Sequence, residues 1–108
     1  MDQTIYPYEV TDRLRVYGER IRLARTRRRW CQAELAERMG VERRTVSRLE
    51  QGKSGVCLGA FLDALWILGL WDTSQAVADP AADPVGIFME QQQAPARVRR
   101  SKDKELDF

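Results

Sequence analysis

Residues 32–52 read Gln32-Ala33-Glu34-Leu35-Ala36-Glu37-Arg38-Met39-Gly40-Val41-Glu42-Arg43-Arg44-Thr45-Val46-Ser47-Arg48-Leu49-Glu50-Gln51-Gly52. Gln32 to Met39 is built from strong helix formers and stops at Gly40, a residue suited to the left-handed turn that closes a helix. Cys31 stands at the capping position, with Glu34 three residues later where a capping box places its acid. A second short helix is expected from Glu42 or Arg43 through Val46 and Leu49 to Glu50, ending at Gly52. Val46 and Leu49 then point inward with Leu35, Ala36 and Met39, while positions 43, 44, 47 and 48 project together. Two helices of about eight residues, joined by a tight glycine-containing turn, make a helix-turn-helix unit.

On the N-terminal side, Val10, Leu14, Tyr17, Ile21 and Ala24 recur at spacings of 4, 3, 4 and 3 in a stretch free of proline from Glu9 to Arg28. That rhythm predicts one helix. Pro7 suits its entry, with Thr11 or Asp12 as alternative caps, and Arg27 to Arg29 complement the dipole at its far end. On the C-terminal side, Leu58 to Leu68 predicts a mostly apolar helix closed by Gly69, buried on several sides or at a subunit interface. Asp72 is expected to cap a short helix over Thr73 to Ala78. Asp79-Pro80-Ala81-Ala82-Asp83-Pro84 reads as a loop, because a residue before proline is steered away from helix. Val85 to Met89 is an apolar patch that suits either a helical turn or a short strand. Gln91 to Phe108 is polar and aperiodic, and reads as a flexible tail.

The 108 residues carry 18 Lys+Arg, 16 Asp+Glu and no histidine. One domain with a tail fits that length. Without histidine, neither a histidine-dependent triad nor a histidine-ligated metal site can form. No enzyme activity, cofactor or metal is expected. Cys31 and Cys57 belong to no CxxC pair and are expected to be reduced. Cys31 reads as an inert small cap, with a redox-sensitive thiol as the alternative. The polar opening Met1-Asp2-Gln3-Thr4 resembles no leader, and Val56 to Trp71 is short for a membrane span and interrupted by Asp63. A cytoplasmic, nucleoid-associated location is expected. Charge is segregated along the chain. Residues 1–55 hold 13 basic against 8 acidic side chains, residues 56–96 hold 5 acids and no Lys or Arg, and residues 97–108 hold 5 basic against 3 acidic. A basic half attracts phosphate backbones, and an acidic half addresses another partner, unless both are ordinary solvated surface.

Gly18-Glu19-Arg20-Ile21-Arg22, Gln32-Ala33-Glu34-Leu35-Ala36, Gly40-Val41 and Thr45 through Lys53 together closely resemble the phage-repressor-like, Cro-type helix-turn-helix family over roughly residues 10–70. The resemblance implies an all-α, five-helix, lambda-repressor-like domain over residues 8–78. A C-terminal dimerisation or packing segment at 79–90 and a flexible tail at 91–108 would follow it. It implies that Gln32 opens the second helix against a phosphate and that the third helix enters the major groove. Arg43, Arg44, Thr45, Ser47 and Arg48 then face bases or backbone, and the guanidinium fork suits guanine O6 and N7. Spacing does not divide base contacts from phosphate contacts. By the same resemblance Arg25 and Glu50 form a salt bridge between the first helix and the end of the third, with a phosphate contact open to Arg25. Lys53, after Gly52, is a further expected phosphate contact. Two residues depart from the family pattern: Cys31 in place of a capping Ser or Thr, and Glu42, which brings negative charge close to DNA.

Leu68-Gly69-Leu70-Trp71-Asp72, Asp83-Pro84-Val85-Gly86, Arg97-Val98-Arg99-Arg100 and Leu106-Asp107-Phe108 resemble HipB-type antitoxins, Cro-like repressors paired with a HipA-like Ser/Thr kinase toxin. The expected function is a homodimeric, sequence-specific repressor on a palindromic double-stranded operator, acting also as an antitoxin. Phe61, Leu65, Trp66, Leu70, Trp71 and Phe88 are the expected dimer surface, more apolar than one small domain needs. The alternatives are a stand-alone phage- or restriction-type regulator and a protein-interaction module that has lost DNA binding.

Overall fold

The computed structural model describes residues 5–93. Among them are five α-helices, two short 3-10 turns and no strand, the all-α class read from the sequence. The chain divides into two compact units, one ending at Ser74 and one beginning at Gln75. That division falls four residues before the expected domain end at Ala78.

In the first unit α1 spans Tyr8–Arg27, α2 Gln32–Met39, α3 Arg43–Glu50 and α4 Leu58–Ile67, followed by a 3-10 turn at Trp71–Ser74. Pro7 is the N-cap of α1, so Thr11 and Asp12 lie inside the helix and cap nothing. Gly40 closes α2 at φ 73°, a left-handed conformation that glycine enters without a Cβ penalty. Ile21, Leu35, Val46 and Leu68 are almost wholly buried, ringed by Ala24, Ala36, Met39, Leu49, Ala64 and Leu65. One residue or more from each of α1 to α4 thus meets in a single core.

Two glycines set how closely α1 meets the end of α3. A Cβ on Gly18 would lie 2.5 Å from the Glu50 carbonyl oxygen, and one on Gly52 would lie 2.8 Å from the Arg15 Cα. Backbone therefore touches backbone at both points. Gly52 also holds φ at 74°, so any side chain there would be strained as well as crowded.

Two expectations about α4 and the segment after it need correction. Leu65 is 6% exposed and belongs to the core, because it faces inward beside Ala64 and Leu68. It is not part of an external apolar surface. The helix expected over Thr73 to Ala78 is instead the 3-10 turn at Trp71–Ser74 followed by irregular turns, with Asp72 inside it. Hydroxyls divert the backbone there: Thr73 donates to the Leu70 carbonyl and Ser74 to the Trp71 carbonyl.

In the second unit the expected loop at 79–84 holds two capped starts. Asp79 accepts from the Ala81 N–H at 2.9 Å and opens a 3-10 turn at Pro80–Ala82. Asp83 accepts from the Gly86 N–H at 2.9 Å and opens α5 at Pro84–Gln92. The residue before a proline adopts the non-helical conformation an N-cap needs, and proline fits the first turn. Residues 85–89 are therefore helical, and Gln91 and Gln92 belong to α5 instead of to a tail. Gln93 is the C-cap of α5, and residues 94–108 of the expected tail, with Arg97–Arg100 and Leu106–Phe108, lie outside the described residues.

Candidate nucleic-acid interface

α3 has one buried face, Val46 and Leu49, which anchors it to the core. Its other face carries Arg43, Arg44 and Arg48, all exposed, with Thr45 and Ser47 half-buried between them. Among the described residues no carboxylate pairs with any of the three arginines. Each is held differently. Arg43 Nη1 donates to Gln32 Oε1 at 3.1 Å. Arg48 leans over the loop after α3, where a Cβ on Gly55 would come within 3.1 Å of its Nη2. Arg44 has neither contact. Glu42 is the N-cap of α3, but its side chain accepts no hydrogen bond from the helix.

Behind that face runs a buried polar chain. Arg25 Nε donates to Glu50 Oε2 at 2.6 Å and Arg25 Nη2 to Glu50 Oε1 at 3.0 Å, a two-pronged ion pair joining α1 to α3. The side chains are 9% and 4% exposed. Arg25 Nη1 spends a further donor on the Trp30 carbonyl at 2.8 Å. The Glu50 hydrogen bond, working against the cost of burial, holds the Arg25 guanidinium protonated more firmly than usual. Gln32 Nε2 donates to Glu50 Oε1 at 3.0 Å while its Oε1 accepts from Arg43. One glutamine thus links the buried pair to an exposed arginine.

Gln32 is positioned by the turn before it. The Cys31 N–H donates to Glu34 Oε1 at 2.9 Å, the acid half of a capping box. That backbone bond holds the Glu34 carboxyl below the usual carboxylate range. Trp30, half-buried beside the core, lies under the Arg38 guanidinium, 4.1 Å from the ring centroid. Arg28 folds back to donate to the Ala24 carbonyl, and Arg29 takes a left-handed φ of 60°. Lys53 is exposed in the turn after α3, its N–H on the Arg48 carbonyl at 3.1 Å.

The structure thus brings Arg25, Gln32, Arg43 and Glu50 into one hydrogen-bonded set. Thr45, Ser47, Arg48 and Lys53 lie on or just after the same helix, outside that set. Of the expected apolar surface, Trp66 and Trp71 meet edge to face at 5.7 Å and are both exposed. Phe61 and Leu70 are half-buried, with Phe61 stacked on Tyr17. Phe88 is exposed on α5, in the other unit. Sequence reading did not find the bridging role of Gln32 or the Arg38–Trp30 contact. Gly18 entered that reading only as part of the family pattern, although a lone glycine inside a helical rhythm is a signal of close packing.

No helix among the described residues is long and apolar enough to cross a membrane. No curated protein and no solved structure matched this chain. A family model described as a helix-turn-helix domain matches residues 16–76, more than half of the chain and the span that contains α2, α3 and the polar chain behind them. The chain is a member of that helix-turn-helix family, of the Cro-like kind, and a DNA-binding regulator.

Proposed function

We propose that the protein is a sequence-specific transcriptional repressor that reads a palindromic operator as a homodimer. The observation that carries this reading is the exposed face of α3, where three arginines without carboxylate partners stand on a helix whose opposite face is locked into the core. Arg43, Arg44, Ser47 and Arg48 enter the major groove, Thr45 lies beside them, and Gln32 and Lys53 serve the phosphates. Arg25, buried and bonded to Glu50 and the Trp30 carbonyl, braces α3 from behind instead of reaching DNA. Arg44 is the best candidate for a base contact, since Arg43 is already oriented by Gln32 and Arg48 leans on the following loop. Replacing a base-reading arginine by alanine should cost about 1–3 kcal/mol and relax specificity at one position. Replacing a phosphate contact should weaken all sequences alike and lower the salt slope by about 1. Operator titrations of Arg43→Ala, Arg44→Ala and Arg48→Ala at several salt concentrations separate the two. A folded triple variant that still bound its operator normally would sink the assignment.

The finer reading is an antitoxin of a HipA-like kinase toxin that represses its own operon. It is supported by the sequence pattern around Leu68–Asp72 and Asp83–Gly86 and by the apolar side chains that α5 exposes, Val85, Phe88 and Met89. Co-purification with a HipA-like kinase encoded beside it, and rescue of growth when both are expressed, is the test. A chain that neither retains the kinase nor restores growth is a stand-alone regulator.

A further inference from the structure

An apolar cleft opens between α1, the turn that ends α3 and the start of α4. Leu14, Tyr17, Leu49, Val56 and Phe61 line it, and of all the side chains around it Lys53 alone is charged. Its volume is about 230 Å³. Dry apolar cavities of about 150 Å³ accept benzene, so this one is scaled to a single or fused ring. The wall is already aromatic, since Tyr17 and Phe61 stack at 5.6 Å with their rings inclined by 15°. The floor is firm, because Leu49 is a core residue. Among the described residues no carboxylate pairs with Lys53: Asp12 and Glu19 are both held by Arg15, and Glu50 is bound to Arg25.

We propose that this cleft binds a small aromatic anion, its ring against Tyr17 and Phe61 and its carboxylate on the Lys53 ammonium. An apolar slot with one cation at its edge fits a planar apolar body carrying one negative group: it holds the anion more tightly than the neutral ring, and it leaves the second charge of a doubly charged ligand unpaired. The occupied site would withdraw Lys53 from DNA, a consequence that rests on the reading of Lys53 as a phosphate contact. The ligand then lowers operator affinity by engaging a DNA contact directly, with no rearrangement of the fold.

The probe is naphthalene-1-acetate, titrated into the full chain without DNA and followed by backbone amide NMR. The expected result is saturable shifts at Gly18, Gly52 and Lys53, and binding at least about tenfold tighter than that of the neutral naphthalene-1-acetamide. The exposed Lys53→Gln variant should weaken the acid about tenfold and leave the amide unchanged. Shifts absent from those three amides, or equal affinity for acid and amide, overturn the site whatever the DNA assays give. A Leu58→Asp variant, placing an acid on an exposed position at the cleft edge, should abolish binding of the acid; retained binding also overturns the site. In a separate arm, saturating naphthalene-1-acetate should raise the operator dissociation constant and lower its salt slope. An unchanged operator affinity with the cleft filled overturns the coupling to DNA.

Discussion

At the scale of single residues, the most consequential pair is Arg25 and Glu50, which are nearly excluded from water and bonded through two nitrogens and two oxygens. Stranding either charge is expected to cost about 3–5 kcal/mol, because the survivor keeps its desolvation penalty and loses its partner. Arg25→Met or Glu50→Leu alone should therefore lower Tm by tens of degrees or unfold the chain. The double variant should recover much of the loss in a thermal melt followed by circular dichroism. Equal and additive losses would mean that the pair contributes only packing. The pair itself was legible in the sequence through family resemblance, whereas the use of Glu50 by Gln32 was not, since Gln32 was assigned outward to a phosphate. A second residue-scale prediction concerns acid. Glu34 has its carboxyl lowered by the Cys31 N–H, so its contribution is present above the ordinary carboxylate pKa and is lost as pH falls through the lower folded value. Glu34→Gln should flatten the acid limb of the stability curve in that window, read by urea melts across pH. An unaltered acid limb would remove Glu34 from the account.

At the scale of elements, the fold turns on how α1 seats against the end of α3. Gly18→Ala places a methyl group against the Glu50 carbonyl and the Leu49 carbonyl, which are backbone atoms that cannot swing aside. Overpacking of this kind costs about 1–3 kcal/mol, more than the helix propensity alanine gains over glycine. Gly59→Ala is the control: it lies in α4, meets nothing within 4 Å, and should stabilise slightly. A Gly18→Ala chain melting above the unmodified one would show that the helices can part freely. The boundaries of α2 and α3 were readable because glycine and the capping acid leave local signs. The boundaries after Trp71 were not, because Asp-Pro was read only as an obstacle to helix. The same steric restriction that keeps Asp79 and Asp83 out of the helical region makes them caps, and their carboxylates accept the amides of Ala81 and Gly86. Leu65 was misplaced for a related reason: a nearly all-apolar helix such as α4 gives no rhythm from which to tell its inner side from its outer one.

At the scale of the whole molecule, one copy presents one α3, and a palindrome asks for two. The proposed dimer supplies the second, about 34 Å away along the same side of the duplex. Each unit has its own exposed apolar residues to offer such an interface. The first shows Trp66 and Trp71 in edge-to-face contact, and the second shows Val85, Phe88 and Met89 on α5. Large exposed aromatics are the kind of side chain that dominates the energy of an interface. Trp71→Asp and Phe88→Asp test the two units separately, and neither residue is buried in the monomer, so both variants should keep the helical spectrum. Whichever aromatic lies inside the interface, its aspartate variant would place an unpaired charge among apolar groups and should sediment as monomer. Operator affinity should fall with it, since each monomer must then find its half-site alone, while the weak, salt-dependent binding to random DNA should persist because α3 is untouched. A monomeric variant with unchanged operator affinity would mean that a single α3 reads the site, and a dimer that survived both substitutions would place the contact on the half-buried Phe61 and Leu70 or elsewhere on the chain.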